Sequence, residues 1–476
     1  AMPRFYRAGR GRAAAHRAIG GLQWPSVTPA RKLMQDSLIS EQTALDVAAH
    51  ATGAAQRAGY AAAVSVSAGN GLSIGVRNGE VETLEYHRDK SLAVTVYRDG
   101  RKGSATTTDF SAAAIAETVT AAVRIAADAE SDPCAGLIDP QYLARDIPDL
   151  DLDHPWDIEP EAAIALALEC EAAALGVDAE VRQVDEAAVS RYRGLHAYAD
   201  TQGFAGAWRA TRHGMSCTVV GSRDGAMQRG YWYTTARHAG ALEAAAAVGR
   251  KAAERTVARL GARKMKTCKA PVLFENRLAT GLIGNLVSAV SGANLYREAS
   301  FLRDALGTRV FPDFVTIDER PHLPRGLGSA PFDGEGMATR DRLLVERGVL
   351  AGYVLDGYAA RRLGLAPTGH AGGVHNLIVS DQGEDLEALL KRMDTGLLVT
   401  ELMGFGINLL TGDYSRGASG FWVEHGAVSH PVEEITIAGN LRDMFGRLVA
   451  VGGDVERRGT IQCGSILLDE MTIAGD

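Results

Sequence analysis

Two pairs of histidines share one spacing. His370 and His375 stand in HAGGVH, His425 and His430 in HGAVSH, and both strings read H-x4-H. Neutral imidazole is a zinc ligand, and a thiolate that suits the same metal is on offer at Cys463, in QCGS. A metal site needs such groups to converge. Both strings are instead rich in Gly and turn residues, and along a strand a five-residue offset sends two side chains to opposite faces. The four histidines are therefore expected to be solvated turn residues, and Cys463 a small buried apolar residue in a strand. The competing reading is a stand-alone metallohydrolase with a non-standard His/Cys site.

A second group lies in PFDGEGMATR (331–340), which holds Asp333, Glu335 and Arg340. Two acids at i, i+2 can form a general acid/base pair or a hard-metal site. More often such acids are solvated turn residues, and Gly334 and Gly336 give the backbone freedom of a loop; the functional role expected is to line a substrate channel or a partner interface. Arg416 and Trp422 belong to the residue types that anchor interfaces; core packing accounts for Trp422 equally well. The chain has no G-x-S-x-G elbow and no G-x-x-x-x-G-K-[ST] phosphate loop, which removes those two chemistries.

The elements that must position these residues belong to a chain of 476 residues, too long for one ordinary core. No run approaches the roughly 18 apolar residues of a membrane span. Residues 1–35 contain no Asp or Glu but carry Arg4, Arg7, Arg10, Arg12, Arg17, Arg31 and Lys32; removing those seven charges from the net −8 leaves −15 on the rest. An acidic body disfavours nucleic-acid binding, which requires clustered Lys and Arg. The basic stretch lacks the apolar core of a secretory signal, and residues 1–36 are expected to be a disordered leader or a mis-assigned start. Five singly spaced cysteines with no C-x-x-C pair fit a reducing cytoplasm.

Periodicity predicts an α+β fold in three parts. Residues 37–130 read as a helix (39–59), four strands (AAAVSVSA, LSIGVR, VETLEY and SLAVTVYRDG) and a second helix (109–130), with a turn at Asp99-Gly100. Residues 131–160 have the Pro, Asp and Gly content of a linker. A middle α+β part follows over 161–262, with an antiparallel meander between two Ala-rich helices. From 268 to 476 short strands with Gly turns predict a closed or barrel-like sheet, with helices at 276–290, 357–363 and 384–394 packed on it. Within it, GDYSRGASGFWVEHGAVSHPVEEITIAGN (412–440) reads as a Gly-punctuated loop and then a hairpin that turns at His425-Gly426.

That 29-residue string, with SAVSGANLYREASFL (288–302), PFDGEGMATR and IQCGSILLDEMTIAG (461–475), resembles the TldD/TldE (PmbA) family, historically labelled modulators of DNA gyrase. The resemblance implies a heteromeric zinc metalloprotease. Its TldD-type subunit carries HExxxH on a helix with a downstream cysteine as third ligand, so that metal-bound water can attack a peptide bond. HExxxH is absent here. The segment in its place, LIGNLVSAVSGANLYREAS (282–300), offers only Asn, Leu, Val, Ser, Ala and Gly around 284–291. The chain is thus similar to the TldE/PmbA-type subunit, for which the resemblance implies no catalytic residues and no cofactor of its own. It also implies zinc in a TldD-type partner, and an unfolded or extended peptide as substrate, with backbone hydrogen bonding to an exposed strand edge as the expected mode. Regulation of DNA gyrase by direct binding remains the other alternative at this point.

Overall fold

The computed structural model describes residues 38–475, so the expected leader lies outside the described residues. Its strands are organised by one local device. Asn78-Gly79, Asp99-Gly100, Asp224-Gly225, Arg347-Gly348 and His425-Gly426 each place two consecutive residues at positive φ, the two-residue turn whose twist matches that of the strands it joins. Both turns expected from the sequence, at 99–100 and 425–426, are among them.

After helix α1 (Glu41–Arg57), capped by the Ser40 side chain, come β1 (Ala61–Arg77), β2 (Glu80–Arg98) and β3 (Arg101–Thr107), then α2 (Ala112–Asp128). The four strands expected here are therefore three, two of them very long. Gly69-Asn70-Gly71, which reads as a break, lies inside β1 and is paired on both sides. A side chain at Gly69 would run into the ring of Tyr192, so the glycine serves a close approach and no turn.

The chain continues with α3 (Pro160–Leu175), β4 (Val181–Asp200), β5 (Ala205–Arg223), β6 (Ala226–Ala236) and α4 (Ala245–Ala258). β1 pairs with β4 from Ala63↔Asp200 to Val76↔Ala187, so one six-stranded antiparallel sheet, β3-β2-β1-β4-β5-β6, spans both sequence parts. Its longest strands run roughly 55–65 Å. Helices cover one face: α1 and α2 pack on Val64, Val66 and Leu195, and α3 and α4 on Leu72, Ile74 and Val189. Strand alternation turns Ser65, Ser67, His196, Tyr198 and Trp208 to the other face. Segment 131–159 has little regular structure but lies against that open face, where Leu150 and Leu152 are buried and Thr211 donates to the Leu152 carbonyl.

The C-terminal part contains β7 (Cys268–Phe274), α5 (Asn276–Ala289), α6 (Gly292–Tyr296), β8 (Ile317–Glu319), β9 (Arg342–Glu346), β10 (Val349–Leu350), α7 (Gly357–Leu363), β11 (Leu377–Val379) and α8 (Leu386–Met393). It ends with β12 (Gly396–Met403), β13 (Ile407–Asn408), β14 (Asp413–Glu424), β15 (Ala427–Asn440), α9 (Leu441–Gly446), β16 (Leu448–Val451), β17 (Ile461–Gln462) and β18 (Ile466–Ala474). The barrel expected from the sequence is present: β12, β7, β18, β15 and β14 close into a five-stranded ring, because β12 pairs with both β7 and β14. Phe274, Leu397, Ile435 and Leu468 belong to its buried core. The stretch GDYSRGASG, expected as a loop, lies in strand β14 apart from Gly412. Gly420 there meets the Leu398 carbonyl so closely that no Cβ fits. A small second sheet, β10-β9-β8-β11-β17, completes the fold. No helix among the described residues is long and apolar enough to cross a membrane.

Candidate functional site

Two buried carboxylates organise the loops that face the open side of the long sheet. Glu319, at the end of β8, is 1% exposed. It accepts from Arg342 Nε at 2.7 Å, from the His375 backbone N–H at 2.7 Å and from His370 Nε2 at 2.9 Å. Burial alone would raise its pKa; the His370 hydrogen bond, the charges around it and the His375 N–H outweigh this and hold it at about 2. Asp333 accepts from the N–H groups of Glu335, Met337 and Ala371 at 2.9–3.0 Å. It thereby ties loop 331–338 to loop 369–376. Glu335 accepts from the Gly357 N–H at 2.7 Å, at the start of α7. Burial pushes its carboxyl up to about 7, against the pull of that bond. Asp333 and Glu335 are thus set in a structured loop that Gly alone made look free. Arg340, seven residues beyond Asp333, is exposed.

The histidines divide. His370 and His375 are buried, 6% and 9% exposed, with ring centroids 5.6 Å apart. This corrects the expectation of solvated turn residues: their loop is folded inward around Glu319. Their nitrogens are already engaged. His370 Nδ1 meets Thr368 Oγ1 at 2.9 Å, and the His375 ring faces the carbonyls of Gly328 and Gly369 at 3.3 and 3.1 Å. His425 is exposed at the β14–β15 turn, and His430, half-buried, pairs across the strands with Trp422. Trp422 packs against the barrel core, and Arg416 sits in the same hairpin opposite Ile437. Neither reaches the loops around Glu319 and Asp333.

The residues do not fit a zinc ion. Cys463 is 0% exposed, with Sγ directed to the Gly464 carbonyl at 3.2 Å, and burial pushes its thiol up. On α5, the face not packed into the core presents Gly281, Gly284, Asn285 and Ser288, and the Ser288 hydroxyl bonds back to the Gly284 carbonyl. Among the described residues no three His, Cys, Asp or Glu side chains converge as a metal would require.

A cavity of about 330 Å³ lies between the sheet's open face and the two loops. Its floor is Ser65, Ser67, His196, Tyr198 and Trp208; its roof is 327–334 and 371–375. The Trp208 ring lies on His196 with centroids 4.9 Å apart. Arg237 closes one side, and its guanidinium donates to the carbonyls of Leu327 and Thr211 at 2.9 and 3.1 Å. Burial pulls Arg237 down to about 10, and burial with the nearby Arg237 charge lowers His196. Sequence reasoning missed Glu319, Arg342, Arg237, His196 and Trp208. The alternation in β4 and β5 was a usable signal for the last two, but it gives no register between strands.

Three family models match the chain: the PmbA/TldA metallopeptidase domain 1 over residues 62–126, the central domain over 153–260 and the C-terminal domain over 267–475. The Metalloprotease PmbA of Escherichia coli O157:H7 is 47% identical over 445 residues, covering 94% of this chain and 97% of that one. The chain belongs to the PmbA/TldD metallopeptidase family. The Metalloprotease PmbA homolog of Haemophilus influenzae is 44% identical over 437 residues, 92% and 97% of the two chains. Among solved structures, a Bacteroides thetaiotaomicron protein named for modulation of DNA gyrase superposes with a TM-score of 0.86 at 27% identity, over 90% of this chain and 98% of that one. TldE from Thermococcus kodakarensis shares the fold, with a TM-score of 0.77 at 20% identity over 87% and 97%. The PmbA/TldD domain models also frame the sheet: the segments matched by the first two contribute to one set of paired strands.

Proposed function

We propose that this chain is the PmbA/TldE-type subunit of a heteromeric metallopeptidase of the cytoplasm. In this reading it holds unfolded peptide, and the catalytic zinc belongs to an HExxxH-bearing TldD-type partner. The observation that carries it is the unpacked face of α5, where Gly281, Gly284, Asn285 and Ser288 stand and no side chain can bind zinc or act as a base near pH 7. The helix is kept and its ligands are missing. The cleft under loops 327–334 and 371–375 supports the peptide-binding half, being walled by a sheet face, aromatic rings and backbone. The barrel strands close on one another and leave no edge in the ring, so strand addition of the kind expected from the sequence is left to open edges such as β3 and β6 of the long sheet. Five unpaired cysteines agree with a reducing compartment.

The test is reconstitution. Co-expressed with an HExxxH-bearing partner, this chain is expected to support chelator-sensitive cleavage of an unfolded peptide by the pair, and to cut nothing alone. Chelator-sensitive cleavage by this chain alone would sink the assignment.

A further inference from the structure

The arginines packed inside this protein usually meet a carboxylate. Arg193 pairs with Asp153, Arg255 with Glu275, Arg342 with Glu319 and Arg458 with Glu456. Arg237 does not. Its donors go only to the carbonyl oxygens of Thr211, Gly326 and Leu327, and no carboxylate lies within ion-pair distance among the described residues. Arg361 shares the carbonyl-only pattern, but there a carboxylate is near: Glu335 feels its charge, which opposes in small part the upward push of burial on that carboxyl. Arg237 thus brings an unneutralised charge to the wall of a cleft, an arrangement costly unless an anion completes it.

The roof of the same cleft supplies further donors. In loop 371–375 the N–H groups of Ala371, Gly373 and His375 are committed to Asp333, the His370 carbonyl and Glu319. Those of Gly372 and Val374, which alternate with them, have no partner among the described residues. Gly372 and Gly373 hold φ of 113° and 115°, and a Cβ on either would touch nothing within 4 Å, so the backbone here is open to an approaching chain. Asp333 lines the same roof, but its two oxygens are held by three backbone N–H bonds, two on Oδ1 and one on Oδ2. On the floor opposite stands the tilted Trp208–His196 ring pair, and Phe332 adds an apolar ring from the roof. A cation, free backbone donors and ring surfaces match one chemical group: a terminal amino-acid residue with its carboxylate.

We propose that this cleft captures the C-terminal carboxylate of an extended peptide, with Arg237 as the charged anchor, the Gly372 and Val374 N–H groups as further donors, and the Trp208–His196 ring pair beneath the terminal side chain. The proposal rests on the peptide-binding reading above and names the end of the peptide that this subunit holds.

The experiment uses the full chain and two fluorescent, unstructured peptides of one sequence ending in Leu, one with a free carboxylate and one with a carboxamide. Charge-assisted hydrogen bonds predict that the free acid binds about 10- to 100-fold tighter. Equal affinity, or tighter binding of the amide, overturns the anchor and leaves the peptide reading standing; binding of neither, by the chain or by its reconstituted complex, overturns both. In Arg237→Gln the acid-to-amide ratio is expected to fall towards one, a readout that a loss of loop packing alone would not move, and an unchanged ratio excludes Arg237. N-acetyl-leucine serves as competitor. If it displaces the peptide at the peptide's own affinity, the occupant is a small carboxylate and the peptide assignment fails; weaker competition supports it.

Discussion

His370 and His375 have the same spacing as His425 and His430, yet the two pairs live in different solvents. The first pair is folded beneath two loops against a carboxylate that is 1% exposed, and the second sits on a hairpin whose turn residue is exposed. Spacing is identical, so spacing decides nothing. What differs is where the chain's other partners come from. Glu319 lies 51 residues before His370 and Arg342 lies 28 before it, and these distant residues turn a Gly-rich loop inward. The hairpin pair meets no buried carboxylate, and its turn is tied to the rest of the chain through the backbone, the Gly426 N–H donating to the Asp394 carbonyl at 2.7 Å.

The sharpest way to break this contrast is to remove the carboxylate. Glu319→Ala leaves the Arg342 charge and His370 without their acceptor, and is expected to cost about 3–5 kcal/mol in urea unfolding at pH 7. A loss below about 1 kcal/mol would mean that water replaces Glu319, and that the two histidine pairs are alike after all.

Acid titration separates carboxylates within the buried region. The Glu319 pKa is depressed, so its contribution is complete above its unfolded value of 4.5 and is lost as pH falls towards about 2. Glu335 is shifted the other way. Its folded pKa of about 7 lies above 4.5, so its contribution is present at low pH and is lost as pH rises from 4.5 through 7. Glu335→Gln is accordingly expected to gain about 1–3 kcal/mol at pH 8 and nothing at pH 4, as read by thermal or urea unfolding at both values. A gain of equal size at both pH values would remove the charge from the explanation.

The smallest effects belong to the hairpin. His425 holds φ of 54° in a turn that favours Asn, so His425→Asn is expected to raise stability by a few tenths to about 1 kcal/mol. His430→Ala is expected to change it by less than about 0.5 kcal/mol. A hairpin substitution as damaging as Glu319→Ala would erase the comparison.

The same division explains what could be read from the residues in order. The turns at Asp99-Gly100 and His425-Gly426 and helix α5 rest on local chemistry, and the structure has them within a residue or so. The barrel was legible as a class from strand density, although its closure by β12 pairing on two sides was not. Gly69, Gly71 and Gly420 were misread because a glycine that breaks a strand and one that lets another group approach look identical in sequence. The cleft was least legible of all. Ser67, His196 and Trp208 meet only through the register of β1, β4 and β5, and Arg237 matters for the carboxylate it lacks, which no motif encodes.

The closed ring also has a consequence in time. β7 and β18 are neighbours in the barrel, joined from Phe274↔Ile466 to Cys268↔Ile473. About 190 residues separate them along the chain, so at ordinary translation rates of about 5–20 residues per second β7 waits roughly 10–40 s for its neighbour. Throughout that interval Val272 and Phe274, both 0% exposed in the finished barrel, have no ring to enter. The nascent C-terminal part therefore exposes these apolar side chains until β18 is made, whereas the hairpin of β14 and β15 can form as soon as it is made.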